Sequence, residues 1–114
     1  MTTVTTAGTV TALALHGTDV YFAAGYLVMR APVAAGAATL VGAAAGGAIS
    51  SLAVDGTSAY YTSDGAVWMA PLDGSSAGTP IATGQREPDA VAVDATSVYW
   101  TNALDGRVMK ATPK

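Results

Sequence analysis

The chain has 114 residues, enough for one domain, and it carries a formal net charge of −3 and no cysteine. The absence of cysteine excludes disulfides and thiolate metal sites, and the five scattered Lys and Arg residues form no basic face that could bind nucleic acid. Because 51% of the residues are hydrophobic but only 7% are aromatic, the core must consist largely of small side chains that pack closely.

The N-terminal segment and one long uncharged segment bear on localisation. The first ten residues, MTTVTTAGTV, lack the basic and apolar regions of a secretory signal, so no signal peptide is expected. Residues 31–54 contain no charge over about the length of a membrane span. They are mostly Ala and Gly, with Pro32 near the start, so we expect turns and short strands there. The cellular compartment is left open.

A unit of about 40 residues occurs three times along the chain. The copies begin with LALHGTDVYF at Leu13, LAVDGTSAYY at Leu52 and VAVDATSVYW at Val91, which are 39 residues apart. The methionines of the three copies are 40 residues apart, at Met29, Met69 and Met109. This spacing predicts that the loop before the third strand lengthens by one residue in each repeat.

Each repeat is predicted to contain four short antiparallel strands. The first alternates a large apolar residue with Ala, and the second is rich in β-branched and aromatic residues. A Gly turn leads to the third strand, and the fourth is marked more weakly, by residues 38–41 and 79–83. Four such strands in about 40 residues are typical of a β-propeller blade, so we expect an all-β fold with three blades per chain.

The blade repeats are predicted around residues 9–48, 49–89 and 90–114, with residues 2–8 as an additional outer strand. Val4 lies nine residues before Leu13, much as Ile81 lies ten residues before Val91. The third repeat has no fourth strand of its own, so twelve strands would leave one blade divided between the two ends.

Three blades are too few to close a ring, because propellers typically have 4–8. We therefore expect a homodimer that completes a six-bladed ring by exchanging the N-terminal strand, which removes an open sheet edge. A trimer of nine blades is less expected. The assembly residues would be Val4, Val108 and Met109, and the chain would be either a natural fragment or an engineered one.

The third repeat also carries a family resemblance. SVYWTN at residues 97–102, preceded by AVAVDAT, resembles the YWTD-type blade of the low-density lipoprotein receptor family, and the Gly- and Ala-rich composition is similar to that of bacterial propeller repeat proteins. The resemblance implies six blades and protein recognition through a face of the ring. The Asp of the motif is replaced by Asn102, Ser63 and Ala24, so no receptor ligand carries over.

The only histidine, His16, aligns with Asp55 and Asp94 at the turn after each first strand. This alignment favours hydrogen bonding within a turn for all three residues. No Ser-His-Asp triad and no set of two histidines and a carboxylate can be assembled, so neither catalysis nor a cofactor is expected.

The densest group of charges is Arg86, Glu87 and Asp89. Glu87 and Asp89 are weak candidates for holding a hard cation such as Ca²⁺, but a solvated loop is the favoured interpretation. Arg86 is also a weak candidate for ligand binding.

The paired aromatic residues of the second strands are expected to pack between blades, because they recur at one repeat position. Tyr26 and Trp68 fall outside that pattern and are the predicted exposed aromatics, weak candidates for contact with a sugar.

Two functions are compatible with this pattern. The first is a self-assembling structural scaffold. The alternative is a lectin-like or protein-binding module that uses a ring face and gains avidity from dimer symmetry. A metal-dependent hydrolase of the propeller type is least expected, because its ligands are missing.

Overall fold

The structure is a computed structural model that describes all 114 residues, and it contains eleven β-strands and no helix. The strands are β1 (Val10–His16), β2 (Asp19–Ala24), β3 (Leu27–Pro32), β4 (Thr39–Ala43), β5 (Ser51–Val54), β6 (Ser58–Ser63), β7 (Ala66–Pro71), β8 (Thr79–Ala82), β9 (Pro88–Val93), β10 (Val98–Asn102) and β11 (Arg107–Ala111). The all-β prediction is confirmed. No helix is present that could cross a membrane.

The strands form three antiparallel sheets in chain order. Sheet 1 contains β1–β4, sheet 2 contains β5–β8, and sheet 3 contains β9–β11, each with its strands in sequence order. Eleven of the twelve predicted strands are present, and residues 2–8, the predicted outer strand, form no strand within a single chain. The outer edge of β11 therefore has no neighbouring strand.

The turns between the second and third strands set the register of the repeats. Gly25 and Tyr26 form the first turn, and Asp64 and Gly65 form the second, so these two turns have equal length. Gly25 has a φ of 62° and Gly65 a φ of 78°, backbone conformations that glycine adopts without steric cost. The third turn has four residues, 103–106. The prediction that this loop grows by one residue per repeat is therefore wrong.

This register also changes which residues are equivalent. Met29 lies opposite Phe22, Trp68 lies opposite Tyr61, and Met109 lies opposite Trp100. The residue equivalent to Met29 and Met109 is thus Trp68.

The sheets pack face to face, and their first strands, β1, β5 and β9, lie side by side. We call the face of a sheet that points toward the preceding sheet its leading face, and the other its trailing face. The junction of sheets 1 and 2 joins Tyr21, Ala23 and Val28 on the trailing face of sheet 1 to Tyr61 and Ala70 on the leading face of sheet 2. Full burial of a large apolar side chain contributes about 1.5–3 kcal/mol, so this junction is a major source of stability.

The junction of sheets 2 and 3 repeats the arrangement with other residues. Tyr60 and Val67 on the trailing face of sheet 2 pack against Val98 and Trp100 on the leading face of sheet 3. The paired aromatics of the second strands therefore alternate between the two faces of each sheet. Four of the six are buried between sheets, as expected. Phe22 is buried beside the N-terminal segment, and Tyr99 is half-buried on the trailing face of sheet 3.

The N-terminal segment lies against its own sheet 1. Its Val4 carbonyl accepts a hydrogen bond from the Gly36 amide at 3.2 Å. Residues 3–5 and Ala7 line a cavity of about 410 Å³ together with Val20 and Phe22 of sheet 1. Within one chain the segment therefore covers part of the leading face of sheet 1.

Candidate association faces

The two ends of the stack each present a sheet face that packs on no other sheet of the chain. At one end is the leading face of sheet 1, and at the other is the trailing face of sheet 3. The strand register assigns the residues of both faces. The leading face of sheet 1 carries Leu13, Leu15, Val20, Phe22 and Met29. The trailing face of sheet 3 carries Ala92, Tyr99, Thr101, Val108 and Lys110.

The residues of these two faces have equivalents in the other sheets, and those equivalents form the two internal junctions. Leu13 of sheet 1 is equivalent to Leu52 of sheet 2, but Leu13 is 69% exposed and Leu52 is 8% exposed. Val108 of sheet 3 is equivalent to Val67 of sheet 2, but Val108 is 76% exposed and Val67 is fully buried. The difference arises because Leu52 and Val67 have a neighbouring sheet and the end residues do not.

Exposed apolar side chains are concentrated on these two faces. Six of the nine large hydrophobic residues that the chain exposes lie there: Val10, Leu13, Leu15, Val33, Leu40 and Val108. A shallow apolar cavity of about 230 Å³ on sheet 3 is lined by Val108, Tyr99 and Ala92. Clusters of exposed apolar residues are typical of surfaces that contact a protein, a membrane or an apolar ligand.

The three predicted assembly residues have different environments. Val108 is exposed on the trailing face of sheet 3, and Val4 lies against the leading face of sheet 1. Met109 packs instead toward sheet 2, in the cluster around Trp100. Its side chain is therefore unavailable to a neighbour, because alternate residues of a strand point to opposite faces.

The aspartates of the turns behave as the alignment predicts. The Asp55 carboxylate accepts hydrogen bonds from the amides of Thr57 and Ser58, both at 2.8 Å. Its other oxygen accepts one from the Tyr60 hydroxyl at 3.2 Å and lies 2.7 Å from the Lys114 ammonium. Partial burial by itself raises the pKa of Asp55, but Lys114 and the two amides outweigh it and hold that pKa well below its usual value.

Asp94 repeats this turn in sheet 3. Its carboxylate accepts hydrogen bonds from the amides of Thr96 and Ser97 and from the Tyr99 hydroxyl, at 2.8–2.9 Å. These bonds, with that of Thr96 the strongest, lower the pKa of Asp94 to about 2. Asp94 lies at the margin of the trailing face of sheet 3.

His16 does not follow the other two turns. Its side chain is exposed and makes no hydrogen bond within the chain, so the turn role predicted for it is wrong. In sheet 1 the strand pairing continues through His16 and Asp19, and Gly17 turns the chain with a φ of 60°. This tight hairpin does not use a side-chain acceptor.

The residues of the predicted charged group lie together at a cleft of about 540 Å³ between sheets 2 and 3. Arg86 forms an ion pair with Asp105 at 3.3 Å, and Glu87 and Asp89 are exposed. No three His, Cys, Asp or Glu side chains are grouped so that they could hold a metal ion.

The two aromatics predicted to be exposed differ. Tyr26 is 58% exposed at its turn. Trp68 stacks on Tyr61, with ring centroids 6.4 Å apart, and packs in the junction of sheets 1 and 2. The prediction that Trp68 is exposed is wrong, because the two-residue turn before β7 directs its ring toward sheet 1.

Gln85 is a residue that sequence reasoning did not single out. Its side-chain oxygen accepts hydrogen bonds from Trp100 Nε1 at 3.0 Å and Asn102 Nδ2 at 2.9 Å. It thereby connects the segment after sheet 2 to sheet 3. In the sequence, Gln85 is marked only by its position just before β9, and this position does not identify its hydrogen-bond partners.

The fold is similar to that of the crystal structure of the computationally designed Ika4 protein. The TM-score is 0.56, with 94% of this chain and 92% of that chain covered at 14% sequence identity. At this identity the likeness concerns the fold alone. No family model matches the chain, and no curated protein does.

Proposed function

We propose that the chain is a structural scaffold that associates with copies of itself and performs no catalysis. The trailing face of sheet 3 in one copy would pack on the leading face of sheet 1 in the next. The observation that carries the proposal is that both end faces expose the positions that the internal junctions bury, as the pairs Leu13 with Leu52 and Val108 with Val67 illustrate.

The energetics favour such a junction. Burial of Leu13, Leu15, Val33 and Val108 would contribute about 1.5–3 kcal/mol each. Together these residues offset much of the roughly 4–15 kcal/mol that association costs. A pair of copies that closes on itself contains two such junctions.

We further propose that the sheets are propeller blades and that two copies form a six-bladed ring. The side-by-side packing of β1, β5 and β9 supports this, because the first strands of propeller blades converge on the central channel. Unlike faces generate either a closed ring or an open filament. Two copies supply six blades, within the usual range of 4–8, whereas three copies supply nine. The YWTD-type resemblance also implies six.

The N-terminal segment would complete the ring by strand exchange. Residues 2–7 would leave the leading face of sheet 1 and pair with the free edge of β11 in the neighbouring copy. Sheet 3 would then have four strands, as sheets 1 and 2 do. The exchange satisfies backbone groups that an open edge leaves unpaired.

Light scattering coupled to size-exclusion chromatography tests the proposal. We expect twice the chain mass of 11.3 kDa for the native protein. Leu13→Asp and Val108→Asp should each yield monomers, because each places a charge in a buried junction. The control Leu104→Asp changes a residue that is 65% exposed at a turn outside both faces, and it should remain dimeric.

The same two variants distinguish this packing from a symmetric one. If copies joined through two identical faces, only one of the two substitutions would prevent association. A folded native monomer would refute self-association, and a trimer would refute the six-bladed ring.

The cleft of about 540 Å³ supports a second candidate function, a ligand-binding module with Arg86 and Gln85 in its wall. A glycan array probed with the native protein and with Arg86→Ala tests it. Binding that is lost in the variant would favour this function.

A further inference from the structure

One of the hydrogen bonds between sheets 1 and 2 is made by an arginine side chain. Arg30, on the trailing face of sheet 1, donates from Nη1 to the Leu72 carbonyl at 3.1 Å. Leu72 follows β7 and is held there because its amide donates to the Thr57 carbonyl at 3.0 Å. This bond fixes the edge of one sheet against the next.

The strand register identifies the equivalents of both partners at the chain's end faces. Arg30 lies opposite Tyr21, and Lys110 lies opposite Tyr99 in the same way. The amide of Val33 donates to the Thr18 carbonyl at 2.8 Å, which repeats the bond that holds Leu72. Lys110 therefore occupies the position of Arg30, and Val33 that of Leu72.

Neither the Lys110 ammonium nor the Val33 carbonyl makes a hydrogen bond within one chain. Lys110 forms no salt bridge, and its ammonium lies 5.6 Å from the centroid of the Tyr99 ring. The Val33 carbonyl accepts no hydrogen bond, and its side chain is 44% exposed, whereas Leu72 is 9% exposed. At the junction of sheets 2 and 3 the equivalent of Arg30 is Met69, which has no donor. There Lys114 bridges to Asp55 instead.

We propose that the Lys110 ammonium donates a hydrogen bond to the Val33 carbonyl of a second copy and so sets the register of the association. This inference rests on the proposed self-association. Both copies contribute one donor and one acceptor, so a ring of two contains the bond twice. Val33 would at the same time bury its side chain, as Leu72 does against sheet 1.

The test compares Lys110→Met with Lys110→Arg by sedimentation equilibrium of the full chain. Met is the residue that sheet 2 has at the equivalent position, Met69, where there is no donor. Arg is the residue that sheet 1 has there, Arg30, which donates a hydrogen bond. A hydrogen bond to a charged group contributes about 1.5–3 kcal/mol and the ring contains the bond twice, so Lys110→Met should raise the dimer dissociation constant at least about 100-fold. Lys110→Arg should stay within about threefold of the native value, since Arg retains a charged donor.

Arg30→Met is the matched control. It removes the equivalent bond inside one chain, so it should lower the melting temperature of a monomeric background such as Leu13→Asp, in which Lys110→Met should have no such effect. Equal dissociation constants for native protein and Lys110→Met would overturn the inference while leaving self-association intact. A native chain that does not associate would instead refute the proposed function itself.

Discussion

The two internal junctions join equivalent faces of neighbouring sheets, but they are held together differently. The junction of sheets 1 and 2 is a continuous apolar cluster that also includes Ala44 and Ile49 from the connecting segment. The junction of sheets 2 and 3 has a smaller apolar cluster, and its connecting segment supplies Gln85, whose oxygen accepts two buried donors. The Lys114–Asp55 ion pair also spans it.

Sheets with the same strand register can therefore be joined by different kinds of contact. An apolar junction depends on area and close packing, so it loses stability in proportion to the volume removed. A junction with a polar network depends on complete pairing, because one missing acceptor leaves buried donors unsatisfied.

The largest loss of stability is expected when the Tyr61 side chain is removed from the apolar junction of sheets 1 and 2. Tyr61 is fully buried, and its hydroxyl donates to the Ala43 carbonyl at 2.7 Å; burial raises its pKa to about 12. Tyr61→Ala should lower the free energy of unfolding by about 3–5 kcal/mol, because it leaves a cavity and an unpaired carbonyl. Urea denaturation measures this loss. Tyr26→Ala, at an exposed turn, should change it by less than about 0.5 kcal/mol, and equal losses would contradict the assignment of the core.

An intermediate loss of stability is expected when the hydrogen bonds of Gln85 are removed from the junction of sheets 2 and 3. Gln85→Leu removes the acceptor of Trp100 Nε1 and Asn102 Nδ2 and should cost about 2 kcal/mol or more, although Leu is more apolar. Gln85→Glu keeps a carboxylate oxygen in the place of the amide oxygen that accepts both donors, so it should retain most of the stability. Denaturant unfolding of the two variants provides the comparison, and a Leu variant as stable as the native protein would show that the network is dispensable.

The smallest loss of stability is expected when the ion pair between Asp55 and Lys114 is removed, and this loss depends on pH. The pKa of Asp55 is lowered in the folded chain from an ordinary value of 3.8. As pH falls, the unfolded chain therefore takes up this proton first, so the stabilisation is complete above that value and is lost below it. Asp55→Asn should lower the melting temperature modestly at neutral pH and make it less sensitive to acid. A variant with the native acid dependence would show that Asp55 does not contribute.

The sequence was sufficient to predict the sheets because the anchors at a 39-residue spacing mark every first and second strand. The turn role of Asp55 and Asp94 was also predictable, since a carboxylate followed by Gly-Thr-Ser or Ala-Thr-Ser can accept hydrogen bonds from the amides of the Thr and Ser. The failure at His16 has a physical reason, because Gly17 closes that turn through the backbone alone.

The orientation of Trp68 and the role of Gln85 could not be predicted in the same way. A shift of one residue in a strand reverses the face of every side chain, and the methionine spacing suggested the wrong shift. The partners of Gln85 lie more than a dozen residues away, on a strand whose distance from it only the packed sheets define. The sequence predicted association through the ends of the chain, but it could not predict the exposure of Leu13, because Leu13 and Leu52 look alike in sequence and differ only in what covers them.

The unlike end faces also determine how a mixture responds to defective copies. A copy with Val108→Asp could still join through its leading face but would offer nothing at its other end. In an open filament such a copy would act as a chain terminator, and a small fraction would shorten the whole population. In a closed ring of two it could impair only the ring that it enters, so with random pairing the fraction of intact rings would fall as the square of the native fraction.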